Sequence, residues 1–284
     1  MVPMSSFKSG FVTIIGRPNV GKSTLLNAII GQKVSIVSDK PSTTRTRARG
    51  ILTQKRGQIV FVDTPGIHKP RSLLGKRLNE TANRATEDVD VVIVLTDASQ
   101  EIGKGDAFVL DRIPKDAIVV VNKTDLVPPK TVLERLSSLA KFDKSSYFPV
   151  SAQTGDGVNE LLDEIFGRLA EGPMYYPTET LTDISDGNWV AELVREQLLA
   201  LTREELPHSI ACQVTEWEWP RIRCEIHVER SSQKAIVIGK GGLVLKEVGS
   251  RVREQLPKGA YLELFVKVNP SWQSKAHSIE RLGY

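Results

Sequence analysis

GRPNVGKS, Gly16 to Ser23, follows the apolar run FVTII and precedes a helix-forming stretch over residues 23–30. The eight residues fit G-x-x-x-x-G-K-[ST] in full. A glycine-rich turn between strand and helix aims backbone N–H groups at an anion, and the helix N-terminus adds its dipole. Lys22 is the side chain that reaches the outer phosphates of a nucleoside triphosphate, and Ser23 offers a hydroxyl to Mg²⁺. Gly16, Arg17, Pro18, Asn19, Val20, Gly21, Lys22, Ser23 and Thr24 are thus candidate nucleotide contacts.

Outward from this loop, short apolar runs alternate with amphipathic stretches. FVTII (11–15), IVFV (59–62), VVIVL (91–95), AIVVV (117–121) and YFPV (147–150) read as buried strands, with helices over 130–140 and 158–170. Such alternation predicts an α/β domain: a mostly parallel sheet with helices on both faces. It ends at EGPMYYPTETLTD, residues 171–183, where prolines and a glycine break the pattern. The expected organisation is a first domain over 1–173, a linker over 174–182 and a second domain over 183–284.

Three strand-end segments decide the nucleotide. DTPG follows IVFV: Asp63 can hold Mg²⁺ through water, the Gly66 amide can contact the γ-phosphate, and Asp63, Thr64, Pro65 and Gly66 are candidate nucleotide contacts. NKTD follows AIVVV. Asn122 and Lys123 are candidate nucleotide contacts, and Asp125 can accept the two donors of guanine, N1–H and the 2-amino group. Adenine lacks that pair. SAQ follows YFPV, and Ser151 and Ala152 bring a backbone amide toward the guanine O6. The candidate catalytic set is Lys22, Thr44 and Gly66; the candidate metal set is Ser23, Thr44 and Asp63. These motifs resemble the translation-factor class of small GTPases, and on that resemblance KPSTTRTR, residues 40–47, takes the place of the first switch: Thr44 is the candidate Mg²⁺-sensing threonine, with Thr43 the alternative, whereas spacing alone leaves a polar surface loop equally open. Ile67 stands where many GTPases carry a water-orienting glutamine. Intrinsic hydrolysis is therefore expected to be slow, about 10⁻⁴–10⁻² s⁻¹.

The second half has different grammar. Helical spacing over 189–205, with Asp186 near its start, precedes two strands around Pro220. AIVIGKGG, residues 235–242, then begins as an apolar strand-like run, followed by a helix over 243–256 and the strand YLELFVKV. The last motif holds G-x-x-G rather than a second nucleotide loop. Two glycines let a sugar–phosphate backbone approach, Lys240 adds charge, and the next helix contributes its dipole. Residues 221–258 carry nine Lys and Arg against four Asp and Glu, a basic stretch that suits a polyanion. Candidate RNA contacts are Lys234, Ile238, Gly239, Lys240, Gly241, Gly242 and Lys246. The apolar groove is expected from Ile236, Val237, Ile238, Leu243, Val244 and Leu245. Trp217 and Trp219 read as packed against a helix, because acids lie beside them; base stacking is the alternative.

Composition sets outer limits. The 284 residues are 40% hydrophobic and 25% charged with net charge +4. No apolar run approaches the roughly 18 residues of a membrane span, and MVPMSSFKSG lacks a signal-peptide core. The expected compartment is the cytoplasm. Cys212 and Cys224 match no metal spacing and read as buried residues on neighbouring strands; the four histidines form no ligand pattern.

Taken together, GRPNVGKS, STTR, DTPG, NKTD and VSA resemble the translation-factor class of small GTPases, and IGKGG within its α+β surroundings resembles a KH domain. The linker EGPMYYP, LTREELPHSIA, VERSSQKAIVIGKGG and YLELFVKV extend the likeness over nearly the whole chain, to the Era-like GTPases. That resemblance implies a P-loop GTPase domain followed by a small α+β type II KH domain, with GTP/GDP and Mg²⁺ as cofactors. It also implies binding to the 3′ end of small-subunit ribosomal RNA, a role in small ribosomal subunit maturation, and peripheral association with the inner face of the cell membrane. In related GTPases an asparagine at the position of Asn19 helps hold K⁺; a loop-bracing hydrogen bond is the alternative. Nothing demands an oligomer, so a monomer is expected. Two other readings compete: a tRNA-modifying GTPase, against which the GXXG unit argues, and a membrane-surface switch without RNA. The tail NPSWQSKAHSIERLGY is less acidic than the resemblance leads one to expect, leaving RNA contact and packing both open.

Overall fold

A computed structural model describes residues 7–40, 43, 45, 49–63, 72–84, 89–202 and 206–284. The chain divides into two compact units. One comprises Met1–Ser35, Thr44–Lys69 and Leu78–Asp183; the other comprises Ile36–Thr43, Pro70–Arg77 and Ile184–Tyr284.

In the first unit the elements run β1 (Lys8–Gly16), α1 (Lys22–Ile30), β2 (Arg49–Gln54), β3 (Gly57–Asp63), α2 (Leu73–Arg84, whose first turns belong to the second unit), β4 (Val91–Asp97), α3 (Lys104–Leu110), β5 (Ile118–Asn122), α4 (Pro129–Ala140), β6 (Ser146–Pro149) and α5 (Val158–Arg168). The sheet order is β2-β3-β1-β4-β5-β6. All neighbours are parallel except β2 and β3. Apolar alternation splits each central strand between two cores. Val12, Ile14, Ile93, Leu95, Ile118 and Val120 join α1 and α5 on one face, while Ile15, Val92, Val94, Val119 and Val121 join α3 and α4 on the other. Burial on both faces is why these strands read as unbroken apolar runs.

The edge strand β2 was not expected from RGILTQ. It pairs with β3 through the turn at residues 55–56, and its own apolar content is only Ile51 and Leu52, too little for a periodic signal. The segment after α5 is tied to this edge rather than free. Ile51 N–H donates to Leu181 O at 2.8 Å. The buried Gln58 amide donates to Tyr176 O at 2.8 Å, and its Oε1 accepts from Tyr175 and Tyr176 N–H.

The second unit continues α6 (Asp186–Leu201), α7 (Leu206–Ser209), β7 (Ala211–Glu218), β8 (Arg221–Val228), α8 (Ser231–Ile238), α9 (Leu243–Arg253), β9 (Tyr261–Val268) and α10 (Ala276–Arg281). The sheet order is β7-β8-β9, with β8 and β9 parallel. One apolar core joins α6, α9 and the inner face of the sheet, and it contains Cys212 and Cys224 as expected. Burial pushes the Cys212 thiol up, away from thiolate chemistry. The N-cap of α6 is Ser185, which accepts the Asn188 N–H, and the helix stops at Leu201 rather than 205.

The strand-like reading of AIVI is corrected: residues 235–238 close helix α8. Gln233 Oε1 accepts the N–H groups of Glu229 and Arg230 at the helix start, at 2.8 and 3.0 Å. Only Val237 of the run is buried, a helical rather than an alternating pattern. The C-terminal tail packs. Trp272 is fully buried, donates Nε1–H to Ser209 O at 2.9 Å and stacks on Tyr284 with ring centroids 5.8 Å apart, and Ile279 and Leu282 are buried too.

Candidate nucleotide and nucleic-acid sites

The nucleotide loop sits where β1 ends at the carboxyl edge of the sheet, the usual ligand edge of parallel α/β sheets. Gly21 has φ 98° and begins α1. A Cβ there would come within 2.2 Å of Asn122 Nδ2, so only glycine fits both the conformation and the space. Asn19 also adopts a left-handed φ of 66°. The Lys22 ammonium is buried and curls over the loop, donating to Gly16 O at 3.2 Å and Arg17 O at 2.9 Å. Burial strengthens its field on an incoming phosphate. Arg17 is anchored to buried Asp106 at 2.9 Å, a partner that no sequence motif indicates.

Asn122, at the end of β5, ties the loops together. It donates to Val20 O at 2.8 Å and accepts the Ala152 N–H at 3.0 Å. Asp125 accepts from Ser151 Oγ at 2.6 Å, which orients the carboxylate. The expected residues Gly16 to Thr24, Asn122 to Asp125, Ser151 and Ala152 thus converge on one edge. Asp63 ends β3 beside them, with its side chain undescribed. Thr44, Thr64, Pro65 and Gly66 lie outside the described residues. The donor set fits Mg²⁺, since Ser23, Thr44 and Asp63 offer oxygen ligands alone. Among the described residues no cluster of three or more His, Cys, Asp or Glu could hold a metal by itself.

Asp97 is a site residue that motif reading misses. Lys123 takes a left-handed φ of 66°, and its Nζ meets Asp97 Oδ2 at 2.6 Å. Burial alone would raise the Asp97 pKa. Hydrogen bonds from Lys123 and Ser99 outweigh it and hold the carboxyl below the usual range. A depressed carboxylate stabilises the fold above its unfolded pKa and loses that contribution as pH falls through the folded value. Asp97→Asn is therefore expected to cost about 2 kcal/mol at pH 7, with the gap from wild type closing below about pH 4. Urea unfolding at pH 7 and at about pH 2, well below the unfolded carboxylate value, checks this; an equal gap at both would refute it.

In the second unit the GXXG turn links α8 to α9. Gly239, Gly241 and Gly242 have φ of 72°, 61° and 79°. A Cβ on Gly239 would strike Val244 at 2.5 Å, whereas Gly241 and Gly242 face open space. Lys240 and Lys246 are exposed and Lys234 half-buried. Ile236 and Leu243 flank the turn, 55% and 63% exposed, as a groove requires. Val237 does not: it is in the core, because α8 turns it inward. Trp217 and Trp219 are 41% and 52% exposed at the β7–β8 hairpin, so the packed reading of both is also corrected.

Comparison with known proteins agrees with this geometry. Residues 11–123 match the 50S ribosome-binding GTPase family and residues 205–273 the KH domain. GTPase Era of Halothermothrix orenii is 43% identical over 98% of this chain and 99% of its own. GTPase Era of Carboxydothermus hydrogenoformans is 44% identical over 98% of each. A crystal structure of Era in complex with MgGDPNP and nucleotides 1506–1542 of 16S ribosomal RNA superposes with a TM-score of 0.94 at 38% identity, covering 98% of this chain and 99% of that one. A guanine-specific phosphate loop followed by a GXXG unit, matched end to end by these relatives, means that the chain belongs to the GTPase Era family and hydrolyses GTP.

Proposed function

We propose that this GTPase is a molecular switch that binds the 3′ end of small-subunit ribosomal RNA in its GTP state and assists assembly and maturation of the small ribosomal subunit. The observation that carries the reading is the GXXG turn: two left-handed glycines with open space above them, at the head of α9 and between exposed Ile236 and Leu243. Such a turn admits a sugar–phosphate backbone while the apolar flanks receive bases. The likeness to the Era–RNA complex supports it.

At the nucleotide site, Lys22 and the loop amides hold the phosphates and Asp125 selects guanine. The Gly66 amide reads the γ-phosphate, and Ser23, Thr44 and Asp63 hold Mg²⁺. The bound metal neutralises charge on the phosphate oxygens. With Ile67 in the usual glutamine position, turnover is slow. Asn19 is the candidate K⁺ contact; if it serves so, hydrolysis in KCl exceeds that in NaCl, and equal rates would remove K⁺ from the account.

Among the described residues no helix is long and apolar enough to cross a membrane. From the family resemblance the reading takes a cytoplasmic monomer that attaches peripherally to the inner face of the cell membrane. The decisive experiment is equilibrium binding of an oligonucleotide from the 3′ end of small-subunit ribosomal RNA with a non-hydrolysable GTP analogue, with GDP, and without nucleotide. Tighter binding with the analogue is expected. Equal binding in all three states would sink the gating.

A further inference from the structure

The segment that leads from the end of β4 into α3 touches the nucleotide loops at both of its ends. At its start Asp97 meets Lys123 Nζ at 2.6 Å. At its end Asp106, in the first turn of α3, meets Arg17 Nη1 at 2.9 Å. Asp106 belongs to none of the nucleotide motifs. It is 5% exposed, and one of its oxygens, Oδ2, accepts both the Arg17 guanidinium and the Gly103 N–H, the latter at 3.0 Å. The Gly103 contact caps α3 and holds the carboxylate still, so Arg17 meets a fixed acceptor.

Gly105 makes room for this pairing. A Cβ there would lie 3.0 Å from both Arg17 Cδ and Nε, closer than Cβ atoms ordinarily pack. The arginine side chain therefore lies against the start of α3. A charge-assisted hydrogen bond to a buried carboxylate fixes a side chain more firmly than an ion pair between two exposed groups does. Arg17 is itself part of the phosphate loop, and its carbonyl accepts Lys22 Nζ at 2.9 Å. An ammonium has three donors and no rigid fork, so the acceptors around it decide where it points.

We infer that Asp106 is a positioning residue for phosphate binding in this GTPase: by pinning Arg17 it fixes the loop carbonyl that directs the Lys22 ammonium toward the outer phosphates. The inference rests on the phosphate role proposed for Lys22 above. Without the pin the loop is less preorganised, and each binding event must order it again. That loss falls on ligands with a β-phosphate, which Lys22 reaches. GMP, which has none, is nearly indifferent to it.

The test uses the full-length protein with Asp106→Asn, Arg17→Gln, the double variant and Lys22→Ala, titrated with GMP, GDP and a non-hydrolysable GTP analogue. Asp106→Asn keeps an oxygen for the Gly103 N–H and removes the charge that faces Arg17. It is expected to weaken GDP and the analogue about tenfold and GMP by less than about twofold, with KM for GTP rising in step. Arg17→Gln gives the same pattern, and the double variant is no weaker than either single one, because the two residues act as one unit. Losses that add in the double variant overturn the inference. So does an equal loss for all three nucleotides, which is what general damage to the site would give. Tighter GDP binding in Asp106→Asn also overturns it, since a released Arg17 would then be reaching the phosphates itself. Should Asp106→Asn fail to fold, Arg17→Gln decides: a wild-type ratio of GDP to GMP affinity sinks the proposal. If Lys22→Ala lowers that ratio but Asp106→Asn and Arg17→Gln leave it unchanged, the inference falls while the Lys22 role stands. If Lys22→Ala leaves the ratio unchanged, the Lys22 role falls first, and the inference with it.

Discussion

Gly241→Asp is expected to weaken RNA binding about 100-fold and to leave GTP hydrolysis unchanged. The position faces open space, so a new side chain displaces nothing within the protein. Its φ of 61° is strained for most residues, but aspartate visits this region readily. The fold is expected to lose about 1–2 kcal/mol. The carboxylate would lie where the phosphate backbone approaches, and unpaired like charges at close range cost about 2–3 kcal/mol. Gly241→Ala separates the terms, since it carries the strain without the charge and should lose far less affinity. Oligonucleotide binding by anisotropy, with GTP turnover on the same preparations, checks both halves. Full RNA affinity in Gly241→Asp would move the RNA site away from the GXXG turn.

Asp125→Asn is expected to lower GTP affinity about 10³-fold and to create affinity for xanthosine triphosphate. Guanine presents two adjacent donors, and the carboxylate accepts both. In the variant an amide N–H₂ opposes the 2-amino group, leaving two donors face to face. Xanthine replaces that amino group with an oxygen, which the new amide can satisfy. The Ser151 hydroxyl, 2.6 Å from Asp125 Oδ1, holds either side chain in the same plane. Competition against a fluorescent GDP, with GTP and then xanthosine triphosphate, reads the exchange directly. A variant that bound neither would point to a collapsed loop rather than lost selectivity, and one that still preferred GTP would remove Asp125 from the base site.

The nucleotide loops were legible because each is a local pattern. A strand, a short loop and a helix N-terminus occur within about ten residues, and local order is enough to place backbone N–H groups. Gly239 to Gly242 were legible for the same reason. The neighbouring run AIVI was not. Four apolar residues carry no period, and the capping by Gln233 that makes them helical comes from a polar side chain in an unremarkable sequence. Val237 therefore went to the core and Ile236 to the surface. Strand β2 was missed because pairing with β3, not its own composition, makes it a strand. Trp217 and Trp219 were misread because acids beside them say nothing about whether a helix lies above them.

The sequence alone determined the guanine-nucleotide loop, the parallel sheet that carries it and the GXXG turn, since all three follow from residue identities a few positions apart. Tertiary structure decided which polar groups meet across long separations: Lys123 with Asp97, Arg17 with Asp106, and Arg195 with the carbonyl of Thr43. Charges and carbonyls are interchangeable along a chain. Only the folded path brings a particular pair within hydrogen-bonding distance and excludes the water that would otherwise satisfy each separately.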